Sequence, residues 1–155
     1  MLQEKTIVRF FTTHQLTLAI AESCSGGLLS HRLTNIPGSS AFLKGGVVAY
    51  SNEIKTRLLK VPLSLLKNHG AVSEAVALKM AVSIRQIFKT DFGVAITGIA
   101  GPSGGSAQKS VGLTFIAVAT KNKKACLRCQ FKGNRLAIKR QATDRAMELL
   151  REFLS

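Results

Sequence analysis

Leu16-Thr17-Leu18-Ala19-Ile20-Ala21 runs into Glu22-Ser23-Cys24-Ser25-Gly26-Gly27 and then into Leu28-Leu29-Ser30-His31-Arg32-Leu33. An apolar run, broken by hydroxyls and two glycines and followed by a helical pattern, reads as buried strand, tight turn and helix. Such a turn sets Ser23 at the carboxyl end of a strand. The N–H groups that follow, at Ser25, Gly26 and Gly27, would face the same point, and the helix dipole would favour negative charge there. An α/β protein places a nucleophile beside its oxyanion donors at a turn of this kind. A helix N-cap accounts for the same residues without catalysis, and on this stretch alone the cap is the simpler account.

Outward from this stretch, strands and helices alternate. Leu2–Thr13 reads as a first helix with Leu2, Val8 and Phe11 inward, and Thr17–Ala21 as the first buried strand. Ser25–Asn35 reads as a helix stopped by Pro37-Gly38, and Gly46–Ser51 as a second strand. Asn52 is placed as the cap of a short helix reaching Leu59, with a further helical turn over Pro62–Lys67. Ser73 caps a patterned helix whose inner face holds Val76, Met80, Ala81, Ile84, Ile87 and Phe88, with Glu74 in its first turn. Phe92–Thr97 is a third buried strand. Val111–Thr120 and Ala125–Phe131 form an antiparallel hairpin about Lys121-Asn122-Lys123-Lys124. Asn134–Leu154 closes as a long helix with Ile138, Ala142, Ala146, Leu149, Leu150 and Phe153 as its stripe. The alternation predicts an α/β fold with a mostly parallel sheet covered on both faces and a C-terminal antiparallel hairpin. Sites in such sheets lie off the carboxyl ends of the strands.

The composition bounds the class. A chain of 155 residues with 46% hydrophobic residues suits one domain and excludes disorder. No apolar run reaches the ~18 residues of a membrane span. Met1-Leu2-Gln3-Glu4-Lys5 lacks the layout of a signal peptide, so a cytoplasmic protein is expected. Three cysteines do not suggest a disulfide framework. Cys126 and Cys129 have no second pair to complete a zinc site and read as buried or half-buried free thiols. His14, His31 and His69 are scattered and read as surface or helix-end residues. The net charge is +14 and uneven: residues 121–145 hold nine Lys/Arg against one acid, Asp144. Such a surface could meet nucleic acid, an acidic partner or a phosphorylated small molecule. One tyrosine, no tryptophan and no stacking motif speak against nucleic acid.

Three further clusters fall at strand ends. In Tyr50-Ser51-Asn52-Glu53-Ile54-Lys55, a lysine whose pKa is lowered by desolvation or a neighbouring cation could act as base for Ser23 in a Ser–Lys or Ser–Tyr–Lys set; an exposed surface lysine is the bland alternative. Gly70-Ala71-Val72-Ser73-Glu74 reads as loop and cap. Thr97-Gly98-Ile99-Ala100-Gly101-Pro102-Ser103-Gly104-Gly105 leaves many N–H groups accessible, as an anion-binding loop needs. It matches neither G-x-G-x-x-G nor the Walker pattern, and by itself a flexible connection explains it.

Taken together, Ala21–Gly27, Val48–Lys55, Gly70–Glu74, Thr97–Pro102, Gly104-Gly105 and Lys109–Gly112 occur in the order and spacing of the CinA C-terminal domain family, which the chain resembles from about Leu2 to Phe153. That resemblance implies a three-layer α/β/α sandwich in its stand-alone, single-domain form (residues 1–155), which self-associates as a homo-oligomer. It implies nicotinamide-nucleotide amidase activity, converting nicotinamide mononucleotide and water to nicotinate mononucleotide and ammonia, with no cofactor and no metal. It also implies a catalytic set that falls here on Ser23, Tyr50 and Lys55.

Within that expectation, backbone donors at Ser25–Gly27 serve the oxyanion. Thr97, the backbone of Gly98, Ala100, Gly101, Gly104 and Gly105, and Arg135 or Arg140 are the candidates for the substrate phosphate. The chain departs from the family pattern at Ser25, Ser103, Ser110 and Asn134, where Thr, Asp, Pro and Asp are common. The two missing acids bear on substrate affinity rather than on catalysis. A ligand-binding module without turnover and a basic nucleic-acid or partner-binding protein are the rival expectations.

Overall fold

The computed structural model describes residues 1–154. Helix α1 (Leu2–Thr13) leads into β1 (Leu18–Glu22), α2 (Leu28–Thr34), a 3-10 turn at Ser39–Ala41 and β2 (Leu43–Val48). Then come α3 (Asn52–Arg57), α4 (Leu63–His69), α5 (Glu74–Phe88), β3 (Phe92–Gly98), β4 (Leu113–Ala119), β5 (Lys124–Gln130) and α6 (Arg135–Leu154).

The five strands form one sheet in the order β2-β1-β3-β4-β5. β1 runs parallel to both β2 and β3, with Glu22 opposite Val48 on one side and Ile96 on the other. β4 is antiparallel to β3 and to β5, so the expected hairpin is present and the sheet is mixed.

Alternation along the strands sorts the side chains into two unequal layers. Leu18, Ile20, Val94, Ile96, Ile116 and Val118 pack with α1, α2 and α6. The opposite face is alanine-rich: Ala19, Ala21, Ala95, Ala117 and Ala119 meet Val76, Ala77, Met80, Ala81 and Ile84 of α5. Small side chains on that face let α5 lie close to the sheet, and burying both faces supplies the main stabilising term. On the thicker side, a partly buried polar set ties the helices together. Arg32 pairs with Glu4 of α1 and Asp144 of α6, both at 2.7 Å, and donates to Thr143.

Several local expectations change. Leu2 is 81% exposed, and the inner face of α1 is Glu4, Ile7, Val8 and Phe11. Ile87 lies on the outer side of α5 at 47% exposure. Helix α2 begins at Leu28 because Gly26 and Gly27 take positive φ (61° and 96°), which breaks the helical run. β2 begins at Leu43, three residues before the expected start. Ser51, not Asn52, caps α3, its Oγ accepting from the Ile54 N–H. Asn134 precedes α6 and accepts from the Ala137 N–H. The free cysteines follow expectation: Cys24 is buried, Cys126 and Cys129 half-buried. Among the described residues no helix is long and apolar enough to cross a membrane, and no His/Cys/Asp/Glu group could hold a metal ion.

β1 lies between β2 and β3, and the connections after β1 and after β2 carry the chain to its two opposite sides. The carboxyl end of β1 is therefore the switch point of the parallel part of the sheet. Ser23 is the first residue beyond that end.

Candidate active site

A cavity of about 250 Å³ opens off the carboxyl ends of β1 and β3. Ser23 and Cys24 line its β1 side. Tyr50, Asn52 and Lys55 come from the β2–α3 connection, Ala71 and Val72 from the segment before α5, Thr97–Gly101 with Ser103 and Gly104 from the β3 end and glycine loop, and Arg135 from the start of α6.

Ser23 is fixed by its backbone. Its N–H donates to the Ile96 carbonyl and its carbonyl accepts from the Gly26 N–H, both at 3.0 Å. Lys55 comes from the buried face of the short helix α3 and is 2% exposed. Its Nζ lies 2.9 Å from Ser23 Oγ, 2.8 Å from the Ala49 carbonyl oxygen and 3.5 Å from the Tyr50 carbonyl oxygen. Among the described residues no carboxylate pairs with it, and burial lowers its pKa from the ordinary lysine value. Two main-chain carbonyls thus accept N–H protons from Nζ. In the neutral amine the remaining lone pair is left for Ser23, whose hydroxyl then donates to Nζ. The geometry is that of a nucleophile and its base.

Tyr50 is placed differently from the expectation. Its ring lies at the mouth of the cavity, 57% exposed, and its hydroxyl accepts from Arg135 at 2.6 Å. No hydrogen bond links that hydroxyl to Ser23 or Lys55, so a relay through Tyr50 is not built in this structure.

The oxyanion expectation also needs correction. The Gly26 N–H is taken by the Ser23 carbonyl, and the Gly27 N–H donates to the Glu22 carboxylate. The same carboxylate accepts from the Leu29 and Ser30 amides and the Ser30 hydroxyl. Glu22, 1% exposed, already supplies the negative charge that the α2 N-terminus favours. Among the described residues the amides of Cys24 and Ser25 bond to no other residue; the Cys24 N–H faces its own sulfur, which leaves the Ser25 N–H as the donor beside Ser23. Ser25 itself is fully buried, its Oγ without a partner. Cys24 is no rival nucleophile: burial pushes its thiol up to about 11, so the thiolate is scarce at neutral pH.

The substrate-binding candidates divide. Gly98, Ala100, Gly101 and Gly104 line the cavity, and Arg135 holds the glycine loop by donating to the Gly101 carbonyl at 2.6 Å. A side chain at Gly98 would come within 2.6 Å of Thr114 Oγ1 and 2.9 Å of the Leu113 carbonyl oxygen, so the strand end admits only glycine. Thr97 lines the cavity, but its hydroxyl proton is committed to the Ala71 carbonyl at 2.9 Å. Gly105 and Arg140 do not line it. One helical turn beyond Arg135, the residue nearest the Ser23 turn is Lys139, whose Nζ lies 3.5 Å from where a Gly26 Cβ would stand.

Sequence reading missed Asn52, which lines the cavity one turn before Lys55 on α3. That spacing of three was the available signal. It also missed Lys109, whose Nζ donates to the His69 and Val72 carbonyls and fastens the 69–72 segment across the cavity. Nothing in its surroundings in sequence marks that contact, 37 residues away.

Comparison with known proteins agrees with this architecture. The model of the CinA C-terminal domain matches residues 2–154. A CinA-like protein of Gemmatimonas aurantiaca is 52% identical over 136 residues, covering 88% of this chain and 32% of its own. A putative competence-damage inducible protein of Moorella thermoacetica is 52% identical over 135 residues, covering 87% of this chain and 33% of its own. The chain thus spans about a third of the length of these curated relatives. The crystal structure of competence/damage inducible protein CihA from Agrobacterium tumefaciens superposes with a TM-score of 0.97 at 37% identity, covering 99% of this chain and 94% of that one. A CinA superfamily protein from Klebsiella pneumoniae gives 0.94 at 34% identity, covering 98% and 95%. The chain belongs to the CinA C-terminal domain family.

Proposed function

We propose that this member of the CinA C-terminal domain family is, over its whole length, a nicotinamide-nucleotide amidase that hydrolyses nicotinamide mononucleotide to nicotinate mononucleotide and ammonia. The observation that carries the reading is the buried Lys55, without a carboxylate partner among the described residues and with its Nζ 2.9 Å from Ser23 Oγ, lining a cavity on the switch point of the sheet.

An amide resists hydrolysis because its carbonyl is resonance-stabilised and its nitrogen leaves badly. Ser23 Oγ attacks the carboxamide carbon while neutral Lys55 takes the hydroxyl proton. The carbonyl electron pair moves onto oxygen, where the Ser25 amide donates to it. Each such donor is worth about 2.7–4 kcal/mol in other hydrolases. Collapse returns that pair to the carbonyl and breaks the C–N bond. Lys55 delivers its proton to the departing nitrogen, which leaves as ammonia. In the second half Lys55 takes a proton from water, whose oxygen attacks the Ser23 ester. The ester C–O bond breaks, Ser23 regains its proton, and the carboxylate product leaves. The pyridinium ring of the substrate is cationic, so it makes the carboxamide more electrophilic and disfavours the charged form of a nearby lysine.

Arg135 stands at the cavity mouth with N–H groups beyond the two it gives to Gly101 and Tyr50. A guanidinium offers five donors in a planar fork, which suits a phosphate oxygen pair. We assign it, with the glycine-loop backbone at Gly98–Gly104, to the 5′-phosphate. The enzyme is expected to act in the cytoplasm as a homo-oligomer without a cofactor.

The test is ammonia release from nicotinamide mononucleotide, with nicotinamide riboside and the dinucleotide as comparators, in wild type and Ser23→Ala. The reading requires saturable turnover that is highest on the mononucleotide and falls to background in the variant. Release no faster than from heat-inactivated protein would remove it.

A further inference from the structure

Glu22 carries no role in the chemistry above, yet its side chain and its main chain reach both members of the reacting pair. The carboxylate is buried and accepts four hydrogen bonds from Gly27 and the start of α2: Gly27 N–H and Leu29 N–H at 3.1 Å on one oxygen, and the Ser30 N–H and hydroxyl at 2.9 Å on the other. These bonds bind the far end of the Ser23 turn to the strand residue just before it. The Glu22 carbonyl meanwhile accepts from the Ala49 N–H at 2.7 Å, and the Ala49 carbonyl accepts from Lys55 Nζ. From Ser23 Oγ through Lys55, Ala49 and Glu22 back to Ser23, the contacts close a ring.

We propose that Glu22 is the positioning residue of this site: its carboxylate locks the turn that aims Ser23 at Lys55, while its carbonyl sets Ala49, the residue just past β2, whose own carbonyl orients the Lys55 lone pair. The proposal rests on Ser23 and Lys55 being the reacting pair inferred above. Hydrogen bonds to a carboxylate are stronger than those to a neutral acceptor, and one residue satisfying four donors holds the turn more tightly than a neutral cap would. Misplacing a reacting group by about 1 Å can cost 10²-fold in rate.

Glu22→Gln keeps the volume and turns one carboxylate oxygen into an NH₂ that faces N–H donors. The probe is a fluorophosphonate, which phosphonylates an activated serine: Ser23 Oγ bonds to phosphorus, fluoride leaves, and Lys55 takes the proton. It reports Ser23 reactivity whatever the natural substrate is. The wild type should label at Ser23. The folded Glu22→Gln protein, checked by circular dichroism, should label about 10–100-fold more slowly. Its pH midpoint should stay unchanged, because the carboxylate is bonded to amides and not to Lys55. Ser30→Ala removes one of the four donors and should slow labelling about threefold, from the loss of one hydrogen bond. This second variant keeps the test decisive if Glu22→Gln does not fold.

Labelling of folded Glu22→Gln at the wild-type rate would overturn the proposal, as would wild-type labelling of Ser30→Ala beside an unfolded Glu22→Gln. A pH midpoint displaced by more than about one unit would make Glu22 an electrostatic partner of Lys55 rather than a positioning residue. No labelling of wild-type Ser23 would overturn the reacting pair itself, and with it this proposal, whereas failure on nicotinamide mononucleotide alone leaves the labelling result standing.

Discussion

Replacing Lys55 by Met separates chemistry from stability. The side chain is of similar length, and the site is 2% exposed, so burial is kept while the amine is lost. Removing a general base costs about 10²–10⁴-fold in rate, and more when it acts as a unit with its nucleophile. Stability answers in the other direction. Burial lowers the Lys55 pKa, so between the folded-state value and the unfolded value of 10.5 the unfolded chain binds more protons than the folded one. Where the unfolded state binds the extra proton, stability rises with pH, by up to about 1.4 kcal/mol per pH unit for one group. Urea unfolding of wild type and Lys55→Met at several values between pH 7 and pH 10.5 measures this. The wild type should gain on the variant as pH rises through that window, then run parallel above it. In the same window, Ser23-dependent turnover of the wild type should show a rising limb. A stability difference that stays flat with pH would show Lys55 titrating as an ordinary exposed lysine, and the lone-pair argument would fall. Lys55→Arg retaining more than a tenth of the activity would say the same, since a guanidinium cannot act as a base at these pH values.

Tyr50→Phe should keep kcat within a few-fold, because the hydroxyl contacts Arg135 and not Ser23; steady-state kinetics showing a loss beyond 100-fold would restore Tyr50 to the proton path. Arg135→Ala should lower kcat/KM for nicotinamide mononucleotide far more than for the riboside, by a charge-assisted bond or two at about 1.5–3 kcal/mol each; equal losses on both would place the phosphate elsewhere. Arg140→Ala, outside the cavity, should change neither substrate's kinetics, and a selective loss on the mononucleotide would bring Arg140 back to the phosphate. Gly98→Ala should lose about 1–3 kcal/mol in chemical unfolding from overpacking against Thr114 and the Leu113 carbonyl, and an unchanged midpoint would show that the strand end yields freely.

Much of the fold was readable because β1, β3 and β4 are nearly continuous apolar runs and the longer helices carry a clear stripe. The readable part stops where long-range contacts decide. Ser23 and Lys55 are 32 residues apart, and only the parallel pairing that sets Glu22 opposite Val48 brings their strand ends together. The start of β2 was missed because Gly45-Gly46 interrupts its apolar pattern, and glycine is a weak strand former. The Ser25–Gly27 amides looked free because no local rule shows that the last residue of a strand will turn its carboxylate onto the next helix. Once Glu22 does so, two of the three expected oxyanion donors change: Gly27 goes to the carboxylate, and the Gly26 N–H closes on Ser23. Tyr50 was grouped with Lys55 by neighbourhood in sequence, but the buried face of α3 takes Lys55 inward while Tyr50, just before the helix, stays at the mouth. Leu2 and Ile87 fit the apolar stripes yet lie exposed, at 81% and 47%, whereas Phe88 at the very end of α5 packs on the core.

The account stands most directly on a covalent bond at Ser23. A reaction with nicotinamide mononucleotide, quenched in acid within the first turnover and analysed by peptide mass spectrometry, should show the substrate acyl group esterified to the peptide carrying Ser23. The adduct should be absent from Ser23→Ala. Turnover by Ser23→Ala at more than a tenth of the wild-type rate, or multiple turnovers by the wild type with no ester at any quench time, would contradict the nucleophile assignment and leave the Ser23–Lys55 contact without a catalytic role.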